Sequence, residues 1–146
     1  MKRPPRVPLP SHHELTATAD LKALDDVFAR PGIVAVYLFG SRTVENIAPL
    51  SDIDLAYLGT DRQTEDTLFD PLYEALQGVL GEGNFDLVPL HQAPLHLQFH
   101  VAMEGTLLLN RDPLAVENFT ARAIVRYLDF KPYREAYFAD GEYPWW

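Results

Sequence analysis

Seven consecutive apolar residues, Ile33-Val34-Ala35-Val36-Tyr37-Leu38-Phe39, run straight into Gly40-Ser41, and the chain later resumes as Asp52-Ile53-Asp54-Leu55. No other stretch restricts the fold so tightly. A strand that is apolar without alternation has both faces covered, so it belongs to a sheet with helices or loops on either side. Gly40 marks an abrupt turn at its end. The second segment, Asp52 to Leu58, reads as a strand that alternates at its start. Residues two apart on a strand share a face, so Asp52 and Asp54 point together while Ile53 and Leu55 point into the core.

The rest of the chain supplies the covering layers. Leu21, Leu24 and Phe28 recur at helical spacing before the stop signal Pro31-Gly32. Thr67 to Leu80 carries Leu68, Leu72, Leu76 and Val79 on one face, with Pro71 suited to the first turn of a helix starting near Asp70. The polar run Thr60 to Asp66 reads as a connection. Phe85 to Leu90 is a third strand and Thr106 to Leu109 a short fourth. Between them, Leu95 to Val101 alternates like a strand, but Pro94 in front and Glu104-Gly105 behind punctuate it as a helix. Asp112-Pro113 caps a helix running towards Asp129, and Pro132 opens a last short helical piece. The order predicts an α/β (α+β) fold, a small mixed β-sheet flanked by helices. The expected organisation is a Pro-rich arm over 1–17, one domain over 18–140 and an aromatic tail over 141–146.

Charge and composition exclude several functions. The 146 residues hold 12 Lys and Arg against 21 Asp and Glu, a formal net charge of −9, which opposes broad nucleic-acid binding because phosphates are repelled at long range. With 0 Cys, disulfide frameworks, thiolate zinc sites and thiol catalysis are ruled out. The basic start at Lys2, Arg3 and Arg6 is followed by prolines rather than by the apolar core of a signal peptide. No run is long enough to span a bilayer. A cytoplasmic protein without membrane contact is the expectation. His91, His96 and His100 read as surface histidines, since no acidic ligand stands beside them in sequence.

The chemistry concentrates at the Gly-Ser turn and the aspartates. Two carboxylates with origins about 6–7 Å apart repel each other unless a cation sits between them. Hard oxygen ligands suit Mg²⁺, which is held by carboxylates, water and substrate phosphates. Gly40 lets the backbone approach a phosphate, and Ser41 adds a hydroxyl and a peptide N–H at a helix start, where anions are favoured. Together these are the two halves of a nucleoside-triphosphate site. Two-metal schemes use a further acid, and Asp86 is the candidate, a lone carboxylate in the apolar strand Phe85-Asp86-Leu87-Val88. If buried there, it would need a partner.

Gly40-Ser41, ten residues from Arg42 to Ser51, then Asp52-Ile53-Asp54, with Asp86 on a later strand, resembles the DNA-polymerase-β-like nucleotidyltransferase superfamily. Within it, the pattern is similar to the minimal nucleotidyltransferase (MNT) antitoxins that accompany HEPN ribonuclease toxins. The resemblance covers Ile33 to about Leu109 and implies the polymerase-β-like nucleotidyltransferase fold. It implies ATP as substrate, two Mg²⁺ ions on Asp52, Asp54 and Asp86, and nucleotide contacts from Gly40, Ser41 and Arg42. Asp52, Asp54 and Asp86 are then the catalytic set, with Asp86 as general base. It further implies a HEPN toxin partner, silenced by transfer of AMP to a tyrosine hydroxyl. The alternatives are an antitoxin acting by occlusion alone and a nucleotidyltransferase for antibiotic-type small molecules. Where many relatives continue Gly-Ser-Arg with Ala-Arg-Gly, this chain has Thr43-Val44-Glu45, which replaces a basic residue and a glycine and adds negative charge.

Overall fold

The structure, a computed structural model, describes residues 22–40 and 53–137, the last seven of these by backbone alone. The expected arm over 1–17, the tail over 141–146 and the site residues Ser41, Arg42 and Asp52 lie outside the described residues. Among the described residues four strands form one sheet: β1 (Ile33–Phe39), β2 (Ile53–Gly59), β3 (Phe85–Pro89) and β4 (Thr106–Asn110), in the order β3-β2-β1-β4. β1 pairs antiparallel with both β2 and β4, whereas β2 and β3 are parallel. The parallel pair needs a crossover, which the helix between them provides.

Both faces are covered, as the unbroken apolar run of β1 requires. On one face lie a helix described over 22–27 (α1) and α2 (Arg62–Leu80). There Leu24, Val27 and Phe28 meet Ile33, Val36, Leu55, Tyr57, Leu72, Leu76, Phe85 and Leu87. On the other lie α3 (Leu95–Glu104) and α4 (Pro113–Tyr137), where Val101, Val116 and Phe119 pack on Ala35, Tyr37, Ala56 and Leu58. Val34 and Ala35 both fall on this second face because the register with β2 shifts between Ile33 and Ala35, the extra residue of a bulge.

Two helices differ from the sequence reading. α2 begins at Arg62, not near Asp70. Asp61 caps it, its carboxylate accepting from Thr64 N–H at 2.7 Å, and Pro71 sits inside. Pro71 and Thr67 are both exposed, so the carbonyl that loses its partner faces solvent, where the loss is least costly. The same reason applies to α4, which runs unbroken past Pro132 to Tyr137. Leu128, whose carbonyl Pro132 leaves unbonded, is 53% exposed. Its start agrees with the reading: Asp112 accepts from Ala115 N–H at 3.2 Å. The ambiguous segment after Pro94 is helical. No helix among the described residues is long and apolar enough to cross a membrane.

Candidate active site

Alternation along β2 sends Ile53, Leu55 and Tyr57 to the α1/α2 face and Ala56 and Leu58 to the α3/α4 face. Asp54 therefore projects on the α3/α4 side. β3 behaves likewise, Phe85 and Leu87 facing α1/α2, so Asp86 shares the side of Asp54. The parallel register places Asp54 directly opposite Asp86, on strands about 4.8 Å apart. The two aspartates, 32 positions apart in sequence, become neighbours at one end of the sheet. Asp54 is half-buried.

Asp86 is exposed, so a burial penalty is not what demands a partner for it. What remains is its position opposite Asp54. Like charges on adjacent strands destabilise each other, and a cation between them removes the repulsion.

Gly40, just after β1, completes the described part of the site. Phe39 is paired with Asp54, and Gly40 follows at φ +83°, a left-handed conformation that side chains rarely adopt. A Cβ at position 40 would overlap the Asp54 carboxylate. Glycine is required there twice over, for its dihedral and for the closeness of the acid. The Gly40 backbone and the Asp54 carboxylate are thus closely apposed.

No group of three or more His, Cys, Asp or Glu able to hold a metal occurs among the described residues. They contribute Asp54 and Asp86, two anionic oxygen donors at a solvent-open sheet end. That donor chemistry fits Mg²⁺, which keeps several waters and takes few protein carboxylates.

A second acidic site was not anticipated from the sequence. Glu65, in the first turns of α2, has 0% exposure. Its carboxylate accepts from Gly59 N–H at 2.9 Å and from His91 N–H at 2.8 and 3.1 Å. The His91 ring lies 2.9 Å from the Gly59 carbonyl through Nε2, and since a carbonyl only accepts, Nε2 carries the proton. Tyr57 donates its hydroxyl to the Glu65 carbonyl. Burial pushes the Glu65 carboxyl up to about 7, against the opposing pull of the two backbone donors. The same burial, with Glu65 adding to it, raises the Tyr57 hydroxyl.

This knot ties the end of β2, the start of α2 and the 3₁₀ turn Leu90–Gln92, at the sheet end opposite Asp54. His91 is thus half-buried and structural, not a loose surface histidine. Glu65 stands three before Leu68 and seven before Leu72, so it occupies the apolar stripe. Recognising the earlier helix start would have exposed it.

Comparison with known proteins matches the fold. The family profile described as polymerase beta, nucleotidyltransferase matches residues 22–114. No protein with a curated description matches. Among solved structures, the chain is similar to one described as a toxin–antitoxin with AMP-PNP, at 26% identity over 82% of this chain and 96% of that chain, with a TM-score of 0.70. The MntA–HepT toxin–antitoxin is similar at 28% identity, covering 87% of this chain and 97% of that one, TM-score 0.57. So is a tri-AMPylated Shewanella oneidensis HEPN toxin in complex with MNT antitoxin, at 28% identity, 87% and 96% coverage and a TM-score of 0.57.

Proposed function

The chain belongs to the polymerase-beta nucleotidyltransferase family, whose profile takes in the whole sheet, and from that premise we propose that it is an MNT-type antitoxin that transfers AMP from ATP to a tyrosine of a HEPN toxin. The observation that carries the reading is the contact of three strand ends. Asp54 stands opposite Asp86 across β2–β3, and the Gly40 backbone lies close against the Asp54 carboxylate. In the proposed reading, the triphosphate grip and the metal-holding carboxylates would meet at that point. The similar toxin–antitoxin structures, one with AMP-PNP and one with an AMPylated toxin, support the choice of nucleotide and acceptor.

In the proposed site, Asp52, Asp54 and Asp86 would hold Mg²⁺, two ions in all. Bound there, the metal supplies charge neutralisation for the triphosphate and lowers the pKa of the attacking hydroxyl. The chain's own residues do the rest. Gly40 gives the β- and γ-phosphates close access to backbone, with Ser41 and Arg42 as further phosphate contacts. Asp86, being exposed, is open to an incoming tyrosine and takes its proton as the hydroxyl oxygen attacks the α-phosphorus. The bond from that phosphorus to the bridging oxygen breaks, and pyrophosphate leaves. The added AMP places a bulky anion on the toxin, which repels RNA phosphates from its cleft.

The test is intact-mass spectrometry of a HEPN toxin partner after incubation with this chain, ATP and Mg²⁺, with peptide mapping of the adduct. Mass gain on a tyrosine, lost with Asp54→Asn, is the expected result. Full toxin inhibition by Asp54→Asn without any mass gain from the wild type would instead establish occlusion.

A further inference from the structure

Among the described residues, Asn84 anchors the open end of the register that makes Asp54 and Asp86 neighbours. It precedes β3 and is joined there by the following hydrogen bonds. Its carbonyl accepts from Ile53 N–H at 3.0 Å, on the β2 residue adjoining Asp54. Its own N–H donates to the Gly81 carbonyl at 3.3 Å. Its side-chain Nδ2 donates to the Leu80 carbonyl at 3.0 Å, one of the last carbonyls of α2, which the helix itself leaves without a partner.

The connection it spans is built on two glycines. Gly81 and Gly83 adopt φ +93° and +80°, and a Cβ at Gly83 would meet nothing within 4 Å. At Gly81 a Cβ would strike the Asn84 amide, so side chain and glycine are packed together. One amide thus joins the end of α2 to the first bond between β3 and β2, two residues before Asp86.

We infer that Asn84 is a positioning residue that sets Asp86 against Asp54 and thereby makes the site selective for Mg²⁺, an inference that rests on the function proposed above. Mg²⁺ demands near-octahedral geometry at short distances, whereas Ca²⁺ accepts variable coordination. If the Leu80 bond is removed, β3 is released at its start and the spacing of the two carboxylates widens its range. The ion with the stricter geometry then loses more. Partners that orient a metal's ligands typically carry about tenfold or more in metal affinity.

Calorimetry of ATP binding in excess Mg²⁺ and in excess Ca²⁺ reads this directly, without turnover. Asn84→Ala is expected to weaken ATP binding about tenfold in Mg²⁺ and clearly less in Ca²⁺. Asp61→Ala, which removes the cap at the far end of the same helix, is the control for a general loss of stability and is expected to change neither. Should Asn84→Ala not fold, Asn84→Ser keeps a turn-forming residue while losing the reach to Leu80. Equal losses in both metals, or none, overturn the inference. If wild-type chain binds ATP equally in EDTA and in Mg²⁺, or Asp54→Asn binds as wild type does, the proposed site itself falls instead.

Discussion

Replacing Glu65 by Gln tests the energetics of the buried knot. In the unfolded chain its carboxyl titrates at 4.5, and in the fold at about 7. At roughly 1.4 kcal/mol per pH unit, ionising it in the fold costs about 3 kcal/mol more than in the unfolded chain. The sign follows from proton binding. Below about pH 4.5 the group is protonated in both states and contributes no loss. Between about 4.5 and 7 the unfolded chain gives up its proton while the fold keeps it, so stability falls as pH rises. Above that window the whole cost is present.

Glutamine is neutral throughout and nearly the same size, but its amide nitrogen must face the Gly59 or His91 N–H, leaving a buried donor unmet at about 1–3 kcal/mol. Glu65→Gln is therefore expected to be less stable than wild type at about pH 5. The gap should narrow by about 2–3 kcal/mol by about pH 8 and close or reverse. Urea unfolding of both proteins at fixed ionic strength measures it. Two stability profiles that stay parallel across that range would refute the reasoning.

Gly40→Ala forces a side chain into left-handed backbone and into the Asp54 carboxylate, so AMP transfer should be lost together with about 1–2 kcal/mol of stability, read by transfer assay and by urea unfolding. Asp54→Asn or Asp86→Asn should abolish transfer while leaving circular dichroism unchanged, and should raise the metal-free melting temperature slightly by ending the repulsion between them. Asp61→Ala removes the cap hydrogen bond to Thr64 and should lower stability in chemical unfolding without altering nucleotide affinity. The hydrogen bonds from Thr64 also hold the Asp61 carboxyl below its ordinary value, so this contribution is lost only as pH falls through the acid range.

Local chemistry was legible residue by residue. The unbroken apolar run of β1, the stop at Gly40, the alternation that puts Asp54 opposite in sense to Ile53 and Leu55, and the Asp112-Pro113 helix start all depend on neighbours a few positions away. Their periodicities and caps are written in the chain itself. Pattern-reading faltered where solvent position outweighs propensity. Pro71 and Pro132 look like helix boundaries, yet both lie within helices, because the carbonyls they strand face water.

The amino-acid sequence by itself determined the strands, their polar faces and the residue types proposed for nucleotidyl transfer. Only the tertiary structure decided which of those residues meet. Asp54 stands opposite Asp86 because α2 carries the chain back for β3 to pair parallel with β2 in one register, a non-local choice that no short-range pattern encodes. The burial of Glu65 is likewise set by three separate segments closing on one carboxylate. Its hydrogen bonds come from backbone N–H groups, which every residue but proline carries, so side-chain identity leaves no trace of them in the sequence.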